Sequence, residues 1–315
     1  MNPWRKLEAT DKMTARKKLV VTGANGFVAG SVLAQAGDDW QVHAVSRGEP
    51  LARRDHLYWH ACDPLVPAQL SQVFHEVRPD AVVHTAALAD IDFCQTHPEL
   101  ARAVNVELTR ALADMCADTA CKFVLCSTDT IFDGEHAPYD EDDRPGPVNF
   151  YAETKVAAEQ IVARLGAQAV IARLSLVVGL PVLGAGNSFL ARMIASFNDG
   201  RTVAVPQHEV RTPVDVITAG RALLELAAGN HRGIFHLAGN DRLSRFAMAQ
   251  QIAARFGFPK ELVTAQAAAT SPGRAARPRD VSLTNTKACA QLKTPMCMLD
   301  EGLSLILKMS ETSFL

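Results

Sequence analysis

The sequence predicts a doubly wound parallel α/β sheet followed by a smaller mixed α/β part. Three observations carry this. Apolar β-branched runs alternate with helical segments over short links from residue 18 to about residue 178, which is the pattern of a parallel sheet covered on both faces. The first run ends directly in glycines, as a buried strand turning into a helix does. Beyond residue 178 the rhythm weakens, and "GLPVLGAGNS" and "ATSPGRAARPRD" are rich in Gly, Pro and Ala, a loop composition.

"KLVVT" (18–22) is the first strand, and "FVAGSVLAQAG" follows with helical length and a glycine stop. "QVHAV" (41–45) is the second strand and "LYWHACD" (57–63) a weaker third. "QLSQVFHEV" (69–77) has helical spacing, and "DAVVHTAA" (80–87) is the fourth strand. Residues 98–119 read as one long amphipathic helix. "KFVLCST" (122–128), the alanine-rich helix 151–166 and "AVIARLS" (169–175) complete the alternation. Further helices are expected near 187–198, 214–228, 243–256 and 299–309, with one more strand at 233–239. The expected division is a loose tail over 1–16, a first domain over 17–178 and a second part over 179–315, from which about 213–240 returns to the first domain.

Composition excludes several classes. Of 315 residues, 48% are apolar, enough for a sizeable core. The net charge is −2 with both signs mixed, so no nucleic-acid partner is expected. The seven cysteines are odd in number and lack C-x-x-C, which points to reduced thiols in a cytoplasmic protein rather than a disulfide framework. The ten histidines show no H-E-x-x-H, so no metal is expected. No run approaches the ~20 apolar residues of a membrane span, and the charged N-terminus lacks a signal-peptide core. Translation could start at Met1 or at Met13.

"VTGANGFVAG" (21–30) joins the first strand to the first helix. A helix N-terminus offers free N–H groups and a positive dipole end to phosphate. Gly23 permits the tight turn, Asn25 sits within it, and Gly26 lets the backbone approach a pyrophosphate. Ala29 stands at the third glycine position, where one methyl is tolerated. The turn therefore predicts a Rossmann-type dinucleotide site. An acidic residue at the end of the second strand would hold the ribose of NAD(H), but Ser46 and Arg47 stand there. A hydroxyl and a guanidinium suit a 2′-phosphate. NADP(H) is the preferred cofactor, with NAD(H) the alternative.

"NFYAETK" places Tyr151 and Lys155 four apart at a helix start, on one helix face. A neighbouring ammonium stabilises a phenolate and is expected to draw the tyrosine pKa down from ~10. The fifth strand ends in Ser-Thr, so Thr128 would lie at the carboxyl edge of the sheet beside this pair, ready to bond a carbonyl oxygen.

Taken together, the chain resembles the extended short-chain dehydrogenases/reductases, and more narrowly the dTDP-4-dehydrorhamnose reductase family, over roughly residues 17–310. The most specific stretch runs from Ser127 to Glu159, "STD..FDG....Y.E.D...P.N.Y...K...E". "GNSFLARM", "RTPVDV" and "RPRDVSL" match as well. The resemblance implies that Thr128, Tyr151 and Lys155 are the catalytic trio. It implies that Phe27 and Val28 join the pyrophosphate turn, that Asp63 contacts adenine, and that Ala86 and Ala87 line the cofactor. Asn105 is placed beside the cofactor and active site, and Arg173, Asn187 and Arg211 face substrate.

The second part would then be the substrate-binding part, and a homodimer would be in keeping with the superfamily. The expected reaction is NADPH-dependent reduction of the keto group of a nucleotide-activated sugar, with Tyr151 as general acid. An NAD-dependent sugar-nucleotide epimerase or dehydratase is one alternative, although Thr130 stands where a dehydratase would want a glutamate. A non-catalytic NADP-binding regulatory subunit, such as the one of methionine adenosyltransferase, is the other. Ala29, Ala152 and Leu88 depart from the family pattern, as does "PQHEVRTPVDV", and the last bears on sugar specificity.

Overall fold

The computed structural model describes residues 16–183, 187–266 and 274–312. The expected tail over 1–16 lies, apart from Arg16, outside the described residues.

The first half alternates as expected: β1 (Lys17–Thr22), α1 (Phe27–Gln35), β2 (Trp40–Ser46), β3 (Leu57–Ala61), α2 (Pro67–Val77), β4 (Ala81–His84) and α3 (Ile91–Thr96). Then follow α4 (Pro98–Arg102), α5 (Leu108–Ala117), β5 (Lys122–Thr128), α6 (Phe150–Ala163) and β6 (Ala169–Leu174). All four residues of β4 and all six of β6 are buried, as strands covered on both faces must be. Asn149 caps α6 by accepting from the Ala152 N–H at 2.9 Å.

The second half adds β7 (Val177–Val178), α7 (Phe189–Asn198), β8 (Val203–Pro206), β9 (Val210–Arg211), β10 (Val214–Asp215) and α8 (Val216–Ala228). It continues with β11 (Gly233–Leu237), β12 (Leu243–Ser244), α9 (Arg245–Arg255), β13 (Val263–Gln266), α10 (Thr286–Gln291) and α11 (Leu299–Thr312).

The seven strands of the main sheet run in the order β11-β6-β5-β4-β1-β2-β3, all parallel. The chain reverses direction between β1 and β4, and the crevice beyond their carboxyl ends is where such a sheet binds ligands. One face is filled under α1 and α8, the other under α2, α5 and α6. Helix α8 packs closely on α1: a Cβ on Gly220 would stand 2.5 Å from Ser31 Oγ, and Ser31 Oγ donates to the Val216 carbonyl at 2.6 Å. A third core joins α7, α8, α9 and α11. Beside it, three two-stranded ladders pair β7 with β10, β8 with β13 and β9 with β12.

Three differences from the expected elements matter for the site. Strand β4 stops at His84 rather than 87, so Thr85–Ala87 turns across the sheet edge. The expected helix over 98–119 is continuous but carries a π-helical turn, Ala103–Glu107, between α4 and α5. Such a turn inserts a residue into the helical register, and it often marks a functional position. The short helix α3 and the small ladders have too few residues to set up a readable period. No helix among the described residues is long and apolar enough to cross a membrane.

Candidate active site

The crevice at the ends of β1 and β4 is a cleft of about 350 Å³. Gly23, Asn25, Gly26, Ser46, Arg47, Asp63, Ala86 and Ala87, all expected there, line it. Gly23 has φ +68°, and a Cβ on it would stand 2.7 Å from Ala86 Cα. Only glycine meets both demands. Helix α1 opens on this cleft without a capping side chain or an acidic residue in its first turn. Its N–H groups, including those of Phe27 and Val28, are therefore free to receive an anion. The side chains of Phe27 and Val28 pack into the two cores instead. Asn25 Oδ1 is buried without a hydrogen-bond partner among the described residues, a condition that a bound donor would relieve. Ser46 Oγ donates to the Gly48 carbonyl at 3.3 Å, and Arg47 is exposed at the rim. Asp63 Oδ1 accepts from the Leu65 N–H at 3.1 Å. A free helix end, a turn that admits no Cβ and an unpartnered amide oxygen fit a dinucleotide.

The floor of the cleft is built on His84. Its Nδ1 lies 2.7 Å from Thr22 Oγ1 and its Nε2 3.0 Å from Thr109 Oγ1. Burial, with a smaller push from Lys155, lowers its pKa to about 3, so the ring is neutral at pH 7. Asn105, in the π-helical turn, was expected at the cofactor but does not line the cleft. Its side chain is buried and accepts from the Leu88 N–H at 2.8 Å while donating to the Leu88 carbonyl at 3.1 Å and to Thr154 Oγ1 at 3.0 Å. It clamps the loop after β4 to α6, and so acts on the cleft only through that loop.

The structure brings Thr128, Tyr151 and Lys155 together at the end of β5 and the start of α6. Thr128 stands close enough to the Tyr151 hydroxyl to act on its titration. Thr128 Oγ1 also accepts from the Thr130 N–H at 3.2 Å and lies 3.0 Å from Thr130 Oγ1. Lys155 Nζ donates to the Cys126 carbonyl at 2.8 Å. The expected lowering of the Tyr151 pKa is not what this arrangement gives. Burial pushes it above the ordinary tyrosine range, Thr128 opposes this, and the charge of Asp129 adds to it. Lys155 is turned onto the Cys126 carbonyl, and its own pKa is lowered by burial.

The three residues expected to face substrate divide. Arg173 does not face it: 2% of its side chain is exposed, and Nη2 meets Glu159 Oε2 at 2.9 Å. The β5–β6 register points Arg173 under α6, where the Glu159 carboxylate uses its fork. Asn187 is exposed, bonded to Arg192, and lines neither cleft. Arg211 is buried beside the trio, with Nε 3.6 Å from Asp129 Oδ2 and Nη2 3.8 Å from Glu209 Oε2. Burial raises the pKa of Asp129, and the Arg211 charge opposes that.

Next to Arg211 opens a second cleft of about 250 Å³, lined in part by His208, Glu209, Gln266, Arg274, Arg277 and Arg279. Glu209 is shared by three guanidinium groups, those of Arg211, Arg245 and Arg274. Arg277 is held by Asp92 of α3 through bonds of 2.9 and 3.0 Å. Arg279 has no ion-pair partner among the described residues. Three arginines, Arg274, Arg277 and Arg279, thus line this space against one lining carboxylate, Glu209, the charge balance of an anion site. Sequence reading missed this cleft. "RPRDVSL" carries Arg277 and Arg279 and was the available signal, but nothing in it says that it folds against residues 206–209.

Comparison with known proteins agrees with this geometry. The profile of a family described as the RmlD substrate binding domain matches residues 17–311. A dTDP-4-dehydrorhamnose reductase of Sinorhizobium fredii is 31% identical over 243 residues, covering 75% of this chain and 77% of that protein. The methionine adenosyltransferase 2 subunit beta of Bos taurus is 28% identical over 285 residues, 88% of this chain and 82% of its own. Among solved structures, the dTDP-4-dehydrorhamnose reductase of Bacillus anthracis in complex with NADP superposes with a TM-score of 0.82 at 23% identity, over 93% of this chain and 99% of that one.

Proposed function

The chain belongs to the RmlD substrate binding domain family and is an oxidoreductase of the extended short-chain dehydrogenase/reductase type, and from that premise we propose that it reduces the keto group of a nucleotide-activated sugar with NADPH. The observation that carries this reading is the meeting of Thr128, Tyr151 and Lys155 at the end of β5, where Asp129, Arg211 and Glu209 connect them to the arginine-lined cleft.

The nicotinamide dinucleotide, when bound, supplies the hydride. Gly23, Gly26 and the first turn of α1 would hold its pyrophosphate, and Arg47 with Ser46 would hold the 2′-phosphate that separates NADP(H) from NAD(H). The Tyr151 hydroxyl donates a proton to the carbonyl oxygen as it becomes an alkoxide. A raised pKa keeps Tyr151 in the protonated form that this step requires, and an alkoxide is a far stronger base than a phenolate. Thr128 would hydrogen-bond the same oxygen from beside Tyr151. Lys155, which donates to the Cys126 carbonyl in the free protein, would hold the nicotinamide ribose and tune Tyr151 once the cofactor is bound.

The arginine-lined cleft would take the diphosphate of the sugar nucleotide, because its excess positive charge matches a dianion. A dTDP-linked 4-keto-6-deoxy sugar is the substrate class favoured by the named relative. The test is NADPH consumption on that substrate. The Tyr151→Phe variant should retain NADPH binding and lose roughly 10²–10⁴-fold in kcat, the usual worth of a general acid. The similarity to a methionine adenosyltransferase subunit supports a second reading, a binding subunit without turnover. Wild-type protein that binds NADPH and reduces no keto sugar would favour it.

A further inference from the structure

The long pattern that starts at Ser127 ends at Glu159, a residue for which the reaction above has no use. We propose that Glu159 is a positioning residue for Lys155, held in place by Ser127 and Arg173.

The geometry is a row across the sheet. Ser127 of β5 stands in register with Arg173 of β6, and Arg173 with His236 of β11. Phe123, Leu125 and Ser127 alternate on the face that α6 covers. Both neighbours reach the Glu159 carboxylate: Ser127 Oγ donates to Oε1, and Arg173 Nε lies 3.2 Å from Oε1 while Nη2 lies 2.9 Å from Oε2. Two successive residues of β5 are thereby tied to α6. The Cys126 carbonyl takes Lys155 and the Ser127 hydroxyl takes Glu159, just before Thr128.

A buried ion pair of this kind is not retained for stability alone, since apolar side chains of the same volume commonly do as well. Its place suggests the reason. Glu159 lies one turn after Lys155 on the same helix, and both are buried. Burial disfavours the Lys155 ammonium; Cys126 of β5 works against that, then the Glu159 charge, and the neutral His84 of β4 also faces Lys155. Around Glu159 the facing groups are Arg173 from β6, Ser127 from β5 and Lys155 from its own helix. Arg173 in turn faces the neutral His236 at 3.4 Å, the Phe132 ring at 5.2 Å and the Glu141 carbonyl, and Asp140 acts on His236. The carboxylate therefore keeps Lys155 charged and sets the height of α6 against the end of β5.

The test compares Glu159→Gln, Arg173→Met and the double variant in the full-length protein. The Lys155 titration is followed by NMR of lysine labelled at Cε, with Lys155→Met for assignment. The single variants leave an unpaired buried group and should lose stability, and the double variant should recover it. A positioning role predicts that the double variant still shows the Lys155 midpoint lowered by about one pH unit or more. It also predicts that the alkaline limb of its kcat profile moves down with that midpoint. A double variant with the wild-type Lys155 midpoint would make the pair purely structural and overturn the proposal. The activity arm rests on the reductase reading, whereas the titration needs neither substrate nor cofactor, so the two can fail separately.

Discussion

The two clefts are made of different material. The dinucleotide cleft is main chain: Gly23, Gly26, Ala86 and Ala87 bring backbone to its surface, and all its lining residues fall between 23 and 108. The second cleft is side chain: Arg274, Arg277 and Arg279 line it with Glu209, which pairs with Arg274, while an aspartate from α3 holds Arg277. A backbone site fixes shape, so one added methyl can close it. A side-chain site fixes charge, so it tolerates changes of shape and responds to salt. The departures from the family wording fall accordingly. Ala29 leaves the first cleft intact because its methyl is buried in the sheet core, whereas "PQHEVRTPVDV" supplies Glu209 and Arg211, the residues that connect the second cleft to Thr128.

Gly23→Ala should break the first cleft most severely. The new Cβ would meet the Ala86 backbone at 2.7 Å in a left-handed conformation that costs about 1–2 kcal/mol even without a clash. NADPH affinity should fall about 100-fold, or roughly 2.7 kcal/mol, as read by fluorescence titration, while affinity for dTDP at the other cleft stays near wild type. Equal losses at both sites would mean that the clefts are not independent.

Arg279→Gln tests the second cleft. Losing one charged hydrogen bond of about 1.5–3 kcal/mol should raise KM for the sugar nucleotide about 10–100-fold with kcat little changed. The wild-type KM should rise with ionic strength, and that of the variant should rise less. A kcat loss at constant KM would place Arg279 in the chemistry instead. Arg47→Ala should be milder, because the residue is exposed and its ion pair would be screened. About a tenfold rise in KM for NADPH, with KM for NADH unchanged, is the expected result, and an equal effect on both coenzymes would remove the 2′-phosphate assignment.

This contrast explains what was legible in the sequence. The parallel sheet and the glycine turn were readable because strand period, turn and helix start lie within one contiguous stretch. Thr128 and the pair Tyr151–Lys155 were readable because a strand end and an i,i+4 spacing fix their places. Arg173 was placed at the substrate by the resemblance alone, and its neighbours in sequence do not say whether it faces a ligand or a buried glutamate. Only the β5–β6 register and the position of α6 distinguish the two. Asn105, placed at the cofactor by the resemblance, sits in a π-helical turn and joins Leu88 to Thr154 instead, contacts that only the fold brings together. The second cleft depends on residues 206–209 and 274–279 meeting in space, and no local pattern encodes that meeting.

The clefts should also differ in their response to acid, because the floor of the first rests on His84. Its pKa in the folded chain is about 3, against ~6.5 for an unfolded histidine. Between those values the unfolded chain binds a proton that the folded chain refuses. The contribution is therefore fully present above pH 6.5 and is lost as the pH falls toward 3, by up to about 1.4 kcal/mol per pH unit for a group this deeply buried. His43 and His236, lowered to about 4 and about 3, act in the same direction, so the wild-type slope is a sum. Replacing His84 by Gln, which can still bond Thr22 and Thr109, should make the decline in urea-derived stability between pH 6.5 and 4.5 shallower by up to that amount per unit. An unchanged slope would mean that the His84 ring is protonated without opening the floor, and acid sensitivity would then have to be sought in His43 and His236.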